Sequence, residues 1–122
     1  MWMDHRAKEQ AERINASNHH VLKYVGGKMS PEMQCPKVLW LKENLPDVYS
    51  NVEYFFDLSD YLSWKATSSD FRSMCTAVCK WTYEVGDAGN LLGWNKSFFK
   101  EIGLSDLMEN NCKKIGSNFS RS

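Results

Sequence analysis

Apolar positions recur at helical spacing along most of the chain. Ala7, Ala11 and Ile14 fall at i, i+4 and i+7, which predicts a helix from Asp4 or His5 to about Asn15 with a narrow apolar stripe. Lys8, Glu9, Glu12 and Arg13 form i,i+4 pairs on its other faces, each worth about 0.2–0.5 kcal/mol, and read as a solvated surface. Met1 to Met3 read as the end of a buried strand feeding that helix. Ser17 to Ser30 is a polar connection in which Gly26-Gly27 marks a turn. Pro36 is placed to open the next helix, Val38, Leu41 and Leu45 give it a buried face, and Pro46 limits it. Asp47 to Val52 reads as a further helical turn, and Tyr54-Phe55-Phe56 as a β-prone run ended by Asp57.

The second half is more broken. Ser59 is placed to cap a helix carrying Tyr61 and Trp64 as i,i+3 neighbours. Thr67-Ser68-Ser69-Asp70 interrupts it, and Phe71 to Tyr83 fits either a helix or an extended loop. Gly86 to Gly93 reads as a polar loop. Asn95 caps a helix containing Phe98 and Ile102, which Gly103 stops. Ser105 caps a last helix through Leu107, Met108 and Cys112, with Lys113 and Lys114 favourably at its C-terminal end. The expectation is a mainly α-helical chain of about five helices with two or three short strands, too few for an independent sheet. One unit is expected over residues 1–116, followed by a polar tail, 117–122.

Composition narrows the function classes. Fifteen basic and fifteen acidic side chains cancel, so no charge excess points to nucleic acid or an anionic membrane. The polar, charged stretch from Met1 to Arg13 lacks the apolar core of a signal peptide. No apolar run approaches the roughly 18 to 20 residues of a membrane span. The expected location is cytoplasmic. The four cysteines form no C-x-x-C pair, although Cys75 and Cys79 share one face if their stretch is helical. His19 and His20, being adjacent, are expected to point apart. No metal site is assigned; the cysteines read as reduced thiols and the three N-x-S strings at Asn15, Asn95 and Asn118 as chance matches.

The densest chemistry lies in Met1-Trp2-Met3-Asp4-His5-Arg6, where a strand is expected to open into a helix. Ligand pockets in open α/β sheets form at the carboxyl ends of strands. An indole at Trp2 offers an apolar surface to a ligand, and Asp4 and His5 offer hydrogen bonds. The alternative for Trp2 is plain core packing. Arg6 reads as a structural ion pair rather than a ligand, and Trp40, Trp64 and Trp81 as core.

Several strings together resemble one family. Met1-Trp2-Met3-Asp4-His5-Arg6-Ala7 is similar to the sugar-site segment of FGGY carbohydrate kinases. Pro36-Lys37-Val38-Leu39-Trp40-Leu41-Lys42-Glu43 and the stretch from Phe56 to Thr67 resemble two further family segments. Arg72-Ser73, Cys75 and Cys79-Lys80-Trp81-Thr82-Tyr83 resemble the ribulokinase branch. The resemblance runs in order to about Gly116. It implies a ribonuclease H-like α/β parent fold of the actin/hexokinase superfamily, of which this chain resembles part of the first domain. It implies transfer of the γ-phosphate of ATP, with Mg²⁺, to a hydroxyl of a ketopentose such as ribulose, and allows a homodimer of a full-length member. By the same resemblance Lys80 donates to the sugar, so the substrate-binding set is Trp2, Asp4, His5 and Lys80.

The departures from the family matter as much. The family's Asp-x-Gly-Thr phosphate segment does not occur in the chain, and Gly26-Gly27 lacks the spacing of a phosphate-cradling loop. The catalytic Asp of the family and its ATP domain lie beyond the resembling stretch, so no catalytic residue is assigned. Ser68 stands where the family usually has Gly, and Glu84 to Gly93 looks longer than its counterpart. These 122 residues alone are therefore expected to lack kinase activity. The alternative is a non-catalytic interaction or sugar-binding module derived from the kinase fold.

Overall fold

A computed structural model describes residues 4–85 and 91–120. The expected strand at Met1–Met3, including Trp2, lies outside the described residues. The chain is mainly helical with a few short strands. In order, the elements are α1 (Lys8–Ala16), a 3-10 helix (His20–Val25), α2 (Gln34–Asn44), α3 (Pro46–Asn51), α4 (Leu58–Thr67), β1 (Arg72–Ser73), α5 (Met74–Trp81), β2 (Glu84–Val85) and β3 (Leu91–Gly93). Then come α6 (Lys96–Glu101), two 3-10 turns (Ser105–Met108 and Asn110–Cys112) and β4 (Phe119–Ser120).

The expected stripe of α1 is its core face: Ala7, Ala11 and Ile14 are all buried. Arg13, expected to pair along its own helix, instead ion-pairs with Glu43 of α2, which also accepts from Gln10 at 2.9 Å. This tertiary pair ties α1 to α2. Pro36 sits in the first turn of α2 rather than at its start, where its missing N–H still costs no helical bond. Val38 and Leu39 face the core, whereas Leu45, expected inside, is exposed at the α2–α3 junction. There Pro46 turns the chain, so the apolar stripe ends one turn early. The core gathers Ile14, Val21, Leu22, Met29, Cys35, Phe98, Phe99, Leu104 and Leu107 between α1, α2, α5 and α6. Phe98 and Phe99 are fully buried and meet edge to face at 5.7 Å, each burial worth about 1.5–3 kcal/mol.

Several expectations change. Tyr54-Phe55-Phe56 forms no strand; Phe55 N–H donates at 2.7 Å to the Lys114 carbonyl, one isolated bond that starts no ladder. Asp57, not Ser59, occupies the cap position of α4. Phe71–Tyr83 resolves into β1 and α5, the helix capped by Ser73, whose Oγ accepts from Thr76 N–H at 3.4 Å. Within the expected Gly86–Gly93 loop, Leu91–Gly93 pairs antiparallel with β2, while residues 86–90 lie outside the description. The expected Ser105–Cys112 helix is two 3-10 turns, because Asn110, Asn111 and Cys112 adopt positive φ. Asn95 does cap α6, accepting from Phe98 N–H at 3.0 Å. His19 and His20 do not point apart: their rings stack at 4.5 Å, because His19 is turned inward to accept the Val21 N–H on Nδ1.

Beyond Gly116 the chain returns as β4, parallel to β1 with Arg72 opposite Phe119. Of the tryptophans expected in the core, Trp81 is buried; Trp40 and Trp64 are half-buried.

Candidate functional site

The end of α5 faces the start of α4 and the start of α2 across a cleft of about 490 Å³. Trp81 anchors the last turn of α5 in the core, and Thr82 ends it in the left-handed conformation at φ 67°. That anchoring leaves Lys80 on the cleft side, its Nζ 3.9 Å from Asp57 Oδ1. Asp57 is 8% exposed and Oδ1 also accepts from Gln34 Nε2. Its second oxygen, Oδ2, is buried without a hydrogen-bond partner among the described residues. A carboxylate so buried is sustained by a neighbouring cation, so Asp57 and Lys80 hold each other in place.

Lys37 and Glu32 complete the polar wall. Glu32 Oε1 lies 3.1 Å from Nε2 of the exposed His5. Asp4 lies elsewhere: it lines an adjoining groove of about 360 Å³, which shares Gln34 and Lys37 with the cleft. Its carboxylate is gripped by Arg6, whose Nη2 donates to Oδ2 at 2.6 Å, Nε to Oδ1 at 3.0 Å and backbone N–H to Oδ1 at 3.2 Å. The Arg6 side-chain hydrogen bonds hold the Asp4 carboxyl well below the usual carboxylate range. Arg6 is thus the structural ion-pair partner expected, and it also lies over the Trp40 ring at 5.2 Å.

The structure therefore places Lys80 on the cleft, pairs His5 with Glu32 of the cleft wall, and places Asp4 on the next groove. Trp2 lies outside the described residues. Asp57, Gln34, Glu32 and Lys37 were not singled out from the sequence. Asp57 carried a signal: an acid directly after three aromatics, where burial is expected. Chemically, the cleft offers two ammonium groups, two carboxylates and an amide, an array of donors and acceptors for a small polar molecule. Among the described residues no three His, Cys, Asp or Glu side chains converge to hold a metal ion. No helix among them is long and apolar enough to cross a membrane.

Residues 1–106 match the FGGY family of carbohydrate kinases, N-terminal domain. The chain is 57% identical over 118 residues to an FGGY carbohydrate kinase domain-containing protein of Danio rerio, covering 96% of this chain and 21% of that protein. It is 55% identical over 117 residues to the protein of that description in Homo sapiens, covering 95% and 20%. It is 50% identical over 117 residues to a D-ribulokinase of Saccharomyces cerevisiae, covering 95% and 16%. The chain thus spans about a fifth of the length of the curated relatives it matches, or less.

Proposed function

We propose, for a chain that belongs to the FGGY family of carbohydrate kinases, that its Lys80–Asp57 cleft orients a ketopentose such as ribulose for phosphorylation. The observation that carries this reading is the Lys80 ammonium, 3.9 Å from a buried carboxylate on a cleft of about 490 Å³. A ketose presents a carbonyl and several hydroxyls, which accept from an ammonium and donate to carboxylates. In phosphoryl transfer most of the protein's work is positioning and charge stabilisation, and a group that fixes the sugar contributes through orientation. The D-ribulokinase relative supports ribulose as the first sugar to test.

His5 serves beside Glu32 of the cleft wall, where its exposed ring and Glu32 can each meet a hydroxyl. Asp4 has its lone pairs largely spent on Arg6, so its binding role requires Arg6 to release it. Trp2 retains the stacking role that its resemblance implies. The family uses ATP and Mg²⁺, and no residue of this chain is assigned to hold either. The 122 residues by themselves orient sugar rather than transfer phosphate.

Titration with D-ribulose, L-ribulose and D-xylulose, followed by tryptophan fluorescence and ligand-observed NMR, tests the reading. One ketopentose is expected to bind, and Lys80→Met to weaken it about tenfold or more. Equal binding by Lys80→Met, or none by the unaltered chain, overturns it. ADP release with each sugar is expected to stay at background; turnover above a Trp2→Ala control would refute the inactive assignment.

A further inference from the structure

Cys75 and Cys79 stand one turn apart on α5, both exposed, and both free thiols. As i,i+4 neighbours they share one face of the helix, and Cys79 lines the same cleft as Lys80. Cys35 and Cys112 are buried. Two exposed thiols on one helix face have two chemical outlets, a disulfide or a shared bridging atom, and helix geometry decides between them. A disulfide needs its Cβ atoms about 3.5–4.5 Å apart, whereas i,i+4 neighbours hold theirs at about 5–6 Å. Closing the bond would unwind α5, whose last turn is anchored by buried Trp81. A single thiophilic atom inserted between the sulfurs adds a second bond to the bridge and spans the wider gap with the helix intact.

We propose that Cys75 and Cys79 form a two-thiol chelating site for a trivalent organoarsenical, RAs=O, on the wall of the cleft. The step is a condensation. Each sulfur forms one bond to arsenic, the arsenic–oxygen double bond is lost, and the two thiol protons leave with that oxygen as one water. No electrons are exchanged. Burial and the adjoining Cys75 thiol push the Cys79 thiol up.

The test uses phenylarsine oxide on the whole chain, read by intact mass. One adduct is expected, of the reagent's mass less one water, retained against a large excess of a monothiol such as glutathione. Cys75→Ser and Cys79→Ser are each expected to lose the retained adduct. Circular dichroism checks that both variants keep their helix content, and peptide mapping of the unaltered adduct checks the site without any substitution. Retention in either single variant, an adduct mapped to Cys35 or Cys112, or a wash-out from the unaltered chain would each overturn the proposal. Mild oxidation supplies a further arm: a loss of two hydrogens mapped to Cys75–Cys79 with α5 still helical would also sink it.

Discussion

Ser68 shows how one residue records a family preference in physical terms. It closes α4 at φ 58°, in the left-handed region, where a Cβ meets the following carbonyl. Ser68→Gly removes that clash at an exposed position and is expected to stabilise the chain by about 1 kcal/mol, read as an increase in the urea midpoint at unchanged slope. The serine was visible as a departure from the family pattern, but its backbone angle was not. Asp57 is the second case. Asp57→Asn keeps an acceptor for Gln34 and deletes the charge facing Lys80. Ketopentose affinity is expected to fall about threefold to tenfold, and the same change in a Lys80→Met background to add little, because the pair acts as a unit. Additive losses in that double-mutant cycle would show that Asp57 works independently of Lys80.

At the scale of elements, α2, α3 and the 3-10 turn at Ser105–Met108 are joined by one carboxylate. Asp106 accepts from Lys42 Nζ at 2.9 Å and from Tyr49 hydroxyl at 2.6 Å. Partial burial raises its carboxyl, but the hydrogen bonds from Tyr49 and Lys42 outweigh burial and leave it below its ordinary value. A folded-state value below the unfolded one gives a contribution that is complete well above about pH 4 and lost as pH falls through the folded value. Thermal midpoints are therefore expected to drop on acidification below about pH 4, and Asp106→Asn to flatten that part of the profile. At neutral pH that variant is expected to cost about 1–2 kcal/mol, discounted because the pair is partly solvated. Helices α1, α2, α3 and α6 followed from apolar spacing, prolines and caps, whereas Phe71–Tyr83 fitted helix and loop alike and the 3-10 helix at His20–Val25 lay in a stretch that reads as a polar connection. Their junctions did not, since Leu45 and the Ser105–Cys112 stretch were settled by neighbours rather than by local pattern.

For the whole molecule, Arg72 is the tie between the middle and the end of the chain. Its guanidinium, 3% exposed as a residue, donates to the Phe55 carbonyl, reaches the Lys114 carbonyl at 3.4 Å and lies 3.8 Å from the Phe56 ring centre. Gly116 makes room for it: a Cβ there would meet Arg72 Cγ at 2.5 Å, and the backbone is at φ 119°. Gly116→Ala is expected to cost about 2–4 kcal/mol, from overpacking and backbone strain together, and to release the β1–β4 pairing. Hydrogen exchange at Arg72 and Asn118–Ser120, compared with α1, checks whether the loss is local to that pairing. Uniform acceleration across both regions would mean that the C-terminal strand and the core unfold as one.

The sequence by itself determined what depends on near neighbours. The α1 stripe, the Asn95 cap and the breaks at Pro46 and Ser68 are short-range, so spacing and turn chemistry suffice to read them. It also carried the family, because ordered strings survive in a linear pattern. The tertiary structure alone decided which distant residues meet. Lys80 was chosen from the sequence, but its partner Asp57 lies on another helix, and Gln34 on a third. Burial of Asp57, and the cleft it shares with Lys80, exist only once the fold has brought α2, α5 and the start of α4 together, since a carboxylate's partner is set by proximity in space and not by separation along the chain.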